Sequence, residues 1–133
     1  MRSVQLVAPR QLELHEMPET RHPRSDEVLV RLRAVGIFGT DMHWYSDGGI
    51  GSLRATYPQV LGHEPAGEIA AWGPGTGNLT AGQKVVIEPT ITCGQCEFCC
   101  AGRHNNCVSV IFMSSPQMPG LFRETTSIRC PKE

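Results

Sequence analysis

A chain of 133 residues, 40% of them hydrophobic, is long enough to bury one sizeable core and too short for two ordinary domains. Twelve basic against thirteen acidic side chains leave a net charge of -1 with no basic run, so nothing attracts a nucleic-acid backbone or an anionic membrane. No apolar segment approaches the ~20 residues that span a bilayer, and Met1–Arg10 lacks the apolar core of a signal peptide, so the reducing cytoplasm is the expected compartment.

Fourteen glycines and ten prolines separate short apolar runs, a pattern that predicts a mainly β domain with many turns and only short helices. Val4, Leu6 and Ala8 alternate with more polar positions, Pro9-Arg10 interrupts, and Leu12 and Leu14 resume the alternation, which reads as a hairpin. After a polar loop at Glu19–Asp26, Val28, Val30, Leu32 and Ala34 predict one face of a strand with Arg31 and Arg33 on the other. Thr40 stands where an N-cap belongs, ahead of a short helical turn at Asp41–Tyr45. Ser46–Arg54 carries three glycines and reads as a loop, either a pocket border or a plain connector. Ile69–Trp72 and Lys84–Glu88 are further apolar runs, and the second leads into the cysteines. Between them, Gly73-Pro74-Gly75-Thr76-Gly77 is turn chemistry and not a dinucleotide fingerprint, because no amphipathic helix follows it. Leu121–Arg129 is the last candidate strand.

Cys93, Cys96, Cys99 and Cys107 fall at the spacing C-x2-C-x2-C-x7-C. Two-residue gaps within a tight turn let thiolates converge on a tetrahedral ion at about 2.3 Å, so the expectation is a closed structural zinc site. Gly94 and Gly102 allow the positive φ angles that such a turn requires. Disulfide pairing is the alternative, and a reducing compartment disfavours it. An iron–sulfur cluster is the other, but the ferredoxin run closes with C-x3-C-P, whereas Val108 follows the last cysteine here. Cys100 and Cys130 lie outside the pattern and read as small apolar residues.

Taken with Gly39-Thr40-Asp41-Met42-His43 and Gly62-His63-Glu64, the cysteine motif resembles the zinc-dependent medium-chain alcohol dehydrogenases over nearly the whole chain. The resemblance implies that residues 1–133 form their N-terminal catalytic domain, a GroES-like partly closed β-barrel, with a zinc lobe from about Pro89 to Val110. Pro58-Gln59-Val60-Leu61-Gly62-His63-Glu64 and Val110–Pro116 resemble sorbitol and related polyol dehydrogenases, which places Phe112 near the substrate. In that family a zinc ion binds the substrate hydroxyl and stabilises the alkoxide that gives hydride to NAD or NADP. By the same resemblance His63 and Glu64 match ligands of the catalytic zinc, and Asp41 matches the group that orients His63. Thr40 and His43 match the relay that carries the alcohol proton to solvent, a task suited to a histidine.

Two departures change what the resemblance implies. Phe38 stands where the family places a zinc thiolate, and a phenyl ring cannot coordinate a metal, so a catalytic zinc at His63 and Glu64 is doubtful. The resemblance also implies a nucleotide-binding domain and a segment that completes the barrel, and residues 1–133 are expected to lack both. The expectations that follow are an inactive chain, self-association through exposed apolar surface and strand edges, and a nucleotide-binding domain as a possible partner. The alternative is a non-catalytic, zinc-stabilised binding or assembly module derived from that family.

Overall fold

A computed structural model describes residues 1–130. β1 (Arg2–Ala8) and β2 (Gln11–Glu16) form the expected antiparallel hairpin, turning through Arg10 at φ 63. Ser3 and Gln5, which the alternation turned outward, are buried instead. The reason is that β1 is central: β2 flanks it on one side, β6 (Gln59–Val60) on the other, and Arg123 bridges Ser3. The buried polar atoms satisfy each other, with Gln5 Nε2 donating to Ser3 Oγ at 2.9 Å.

β3 (Glu27–Gly36) is the hub of the larger sheet, whose order is β11-β3-β7-β8, with β7 at Glu64–Trp72, β8 at Lys84–Val86 and β11 at Thr125–Arg129. The predicted inward face holds for Val28 and Val30, which are buried, and fails at Ala34, which is exposed. A register shift between Leu32 and Ala34 in the ladder to β7 exchanges the faces, and Val35 packs on the core in place of Ala34. β11 confirms the last candidate strand only from Thr125 onward. Neither this sheet nor β2-β1-β6 closes on itself.

α1 (Gly39–Asp47) begins two residues earlier than a Thr40 cap would place it. Phe38 is the N-cap, and Asp41 closes the first turn by accepting the Phe38 backbone N–H on Oδ2 at 3.0 Å. The glycine-bearing segment after α1 is ordered as a small hairpin of β4 (Gly49–Ile50) and β5 (Leu53–Arg54). The cysteine lobe leaves the barrel through β9 (Thr90–Ile91), contains α2 (Glu97–Cys100) and a 3-10 turn at His104–Asn106, and returns as β10 (Ile111–Phe112) paired to β9.

Apolar burial falls into two clusters. Val28, Val30, Ile69, Ile87, Met113 and Leu121 fill the space beneath the larger sheet, while Leu6, Trp44 and Leu61 pack α1 onto β1. Each such side chain contributes roughly 1.5–3 kcal/mol relative to exposure. Gly73 shows why the turn after β7 needs glycine: a Cβ there would collide with the Arg24 carbonyl, and the Gly73 N–H donates to Glu27 O at 2.9 Å. Among the described residues no helix is long and apolar enough to cross a membrane.

Candidate functional site

The second cluster holds α1 against the link between β6 and β7, and this contact brings distant motifs together. Gly62 lies in that link at φ +91, its Cα face against Phe122 and Val35, where any side chain would collide with both. Its N–H donates to Asp41 Oδ1 at 3.0 Å. Asp41 is only 3% exposed, and it also accepts the Phe38 N–H and stands 3.5 Å from the Ser114 hydroxyl. A buried carboxylate needs such donors to remain acceptable in the interior. His63 Nδ1 sits 3.5 Å from Asp41 Oδ1, and its Nε2 sits 3.3 Å from Thr40 Oγ1. Thr40, His63 and Phe112 line one cavity of about 180 Å³ together with Trp44, Ile50, Leu53, Ser114 and Ser115. The hairpin of β4 and β5 is therefore a pocket border.

The remaining sequence candidates sit elsewhere. Glu64 is exposed and shares a separate, open cleft of about 560 Å³ with His63, Val86, Ile87 and Glu88. His43 is exposed and engages Asp47 at 3.0 Å, a contact that holds the Asp47 carboxyl below its usual range. Phe38 and Phe112 both meet His63, at centroid distances of 6.0 Å edge-on and 5.1 Å tilted. Ser114 and Ser115, which share this cavity, lie in the stretch Val110–Pro116 that carried the polyol resemblance, but only Phe112 was singled out there. Nothing in a serine pair separates pocket wall from turn.

The cysteine motif converges. The four sulfur atoms of Cys93, Cys96, Cys99 and Cys107 lie within 4.8 Å of one another. A tetrahedron with bonds of about 2.3 Å has edges of about 3.8 Å, and Cys93 and Cys99 are 4.0 Å apart. Backbone N–H groups of Gln95 and Cys96 hold the Cys93 thiol down to about 6, while burial pushes Cys99 up to about 11. A bound cation replaces those protons, so the donor set fits zinc. Among the described residues this is the one group of three or more His, Cys, Asp or Glu placed to hold a metal. Cys100, at the end of α2 and outside the four-thiol group, is exposed, contrary to its apolar reading, and Cys130 is half-buried.

A family model described as alcohol dehydrogenase GroES-like domain matches residues 24–131. The chain is 42% identical over 118 residues to sorbitol dehydrogenase of Bacillus subtilis (strain 168), covering 89% of this chain and 33% of that protein. It is 42% identical over 100 residues to L-arabinitol 4-dehydrogenase of Penicillium rubens, covering 75% and 26%. The crystal structure of galactitol-1-phosphate dehydrogenase from Escherichia coli superposes with a TM-score of 0.82 at 30% identity, over 97% of this chain and 36% of that one. The chain thus spans about a third or less of the length of these relatives. A mainly β fold with unclosed sheets, a four-thiol lobe and a family model matched over most of its length show that the chain belongs to the alcohol dehydrogenase GroES-like domain family.

Proposed function

We propose that residues 1–133 are the catalytic-domain portion of a zinc- and nicotinamide-dependent alcohol or polyol dehydrogenase, which oxidises a secondary alcohol to a ketone by hydride transfer. One observation carries this reading: Thr40, His63 and Phe112, far apart in sequence, line one cavity, with Asp41 buried behind His63. The relatives named for sorbitol and L-arabinitol favour a polyol substrate. In this reading the Thr40 hydroxyl accepts the alcohol proton as it passes its own to His63 Nε2, Asp41 faces the Nδ1 side of the imidazole, and His43, exposed one turn along α1, marks the solvent side to which the proton leaves. Phe112 packs on the carbon skeleton.

The four thiols hold a structural zinc, since a four-thiolate shell leaves no open position for substrate. The residues about His63 do not fit a second resident metal. Phe38 presents an aromatic edge, Glu64 lies exposed in the neighbouring cleft, and both imidazole nitrogens face protein groups. NAD or NADP would be held by sequence corresponding to the rest of the relatives' length, so the isolated chain is inactive. The test is a turnover assay of the zinc-loaded chain with NAD or NADP and a panel of polyols. No nicotinamide reduction is expected, and zinc-dependent reduction by the chain alone would refute the claim.

Phe38 favours a second reading, a non-catalytic binding or assembly module that retains the fold and the thiol lobe. Co-purification with a nucleotide-binding chain tells them apart: a pair that oxidises polyols supports the enzyme, and a stable but inert pair supports the module.

A further inference from the structure

Ser115 carries a hydroxyl that the fold leaves without a partner. Its Oγ is shut off from solvent and has no hydrogen bond within the protein, a condition that most buried polar side-chain atoms avoid. Yet the residue lines the cavity that contains Thr40 and His63. The turn that presents it is firmly held. Ser115 and Met118 exchange backbone hydrogen bonds at 3.1 Å each way, and the Ser114 carbonyl accepts Gln59 Nε2 at 3.1 Å. Ser114 itself adopts φ 71, a left-handed conformation uncommon outside glycine. Such backbone persists where several anchors over-determine it, and it concentrates at binding sites. Elsewhere on the wall Thr40 and His63 engage each other, the Ser114 hydroxyl faces Asp41, and Trp44, Ile50, Leu53 and Phe112 are apolar or aromatic.

We propose that Ser115 determines specificity for polyhydroxy alcohols. Resting on the reading above, in which the reacting hydroxyl sits at Thr40 and His63, a second hydroxyl of the same molecule hydrogen-bonds Ser115 Oγ once the side chain turns to another staggered χ1 rotamer. Both groups line the same cavity of about 180 Å³, a volume on the scale of one short carbon chain. A simple alcohol would leave Ser115 unpaired, and sites built around a substrate hydroxyl discriminate against analogues that lack it.

The test titrates xylitol and 2-pentanol, matched in carbon number, into the zinc-loaded chain and into Ser115→Ala and Ser115→Thr, following backbone amide shifts. Loss of one neutral hydrogen bond should weaken xylitol binding by Ser115→Ala roughly two- to tenfold, while 2-pentanol changes little and Ser115→Thr retains xylitol. Because the buried hydroxyl has no partner within the protein, the thermal midpoint should not fall in Ser115→Ala. Equal binding of xylitol by wild type and Ser115→Ala, or parallel weakening of both probes, would overturn the specificity role while leaving the alcohol cavity intact. If neither probe shifts the cavity residues of the wild-type chain, the alcohol-site reading itself fails, and the role of Ser115 fails with it.

Discussion

Glu27 is 6% exposed and remains an anion because the Arg21 guanidinium meets it with two hydrogen bonds of 2.6 and 2.7 Å, and the Arg24 N–H adds a third at 2.9 Å. Arg21 is the main cause that holds the carboxyl at about 2, below an ordinary value of 4.5. A carboxyl whose folded pKa is depressed stabilises the fold above its unfolded pKa, and that contribution disappears as pH falls through the folded value. Melting curves of wild type and Glu27→Gln should therefore differ most above pH 4.5 and converge as pH approaches about 2. A gap independent of pH would assign the effect to packing. In the sequence the polar loop ends at Asp26, and nothing there gave Glu27 a role. Its burial follows from the turn at Gly73, whose N–H docks on the Glu27 carbonyl.

At the scale of elements, the cysteine lobe has little else to hold it. α2 spans four residues, β9 and β10 form a two-stranded ribbon, and Ile91, Val108, Val110 and Ile111 are exposed. An isolated two-stranded ribbon is marginal in water, whereas structural zinc supplies ~10–16 kcal/mol in small peptides. Chelation should release four thiols beyond any that react beforehand and abolish the pairing of Ile91 with Ile111, leaving the β3–β7 ladder intact. Thiol titration with and without chelator, alongside amide exchange, checks this. Identical thiol reactivity in both conditions would remove the metal from the account. The four-thiol lobe was legible in the sequence because its ligands are local and their spacing is itself the geometric constraint.

At the scale of the whole molecule, the three- and four-stranded sheets both end in open edges among the described residues. β8 presents Val86 at 82% exposure, Ile37 is 71% exposed beside the site, and β11 forms the other edge of its sheet. Apolar side chains beside unpaired backbone favour pairing with another chain. Light scattering should show apparent mass rising with concentration, and Val86→Lys on the β8 edge should reduce it. A strictly monomeric profile across concentrations would refute self-association.

The sequence by itself determined the mainly β character, the first hairpin, the hub strand and the four-thiol lobe, since alternation, turn residues and ligand spacing act over short stretches of chain. It also marked Thr40, Asp41, His63 and Phe112. Only the tertiary structure decided which of these share a cavity, because that depends on α1 docking through Trp44 and on a glycine at Gly62 that lets backbone approach Asp41. Tertiary packing also moved the helix cap from Thr40 to Phe38, exchanged Ala34 for Val35 at a bulge, and left Glu64 and His43 outside the cavity that Thr40, His63 and Phe112 share. Register shifts and long-range hydrogen bonds arise between segments that no local pattern connects, and for that reason the individual places of Ser114 and Ser115 in the pocket wall, within a stretch that the sequence marked only through Phe112, became visible only in the folded chain.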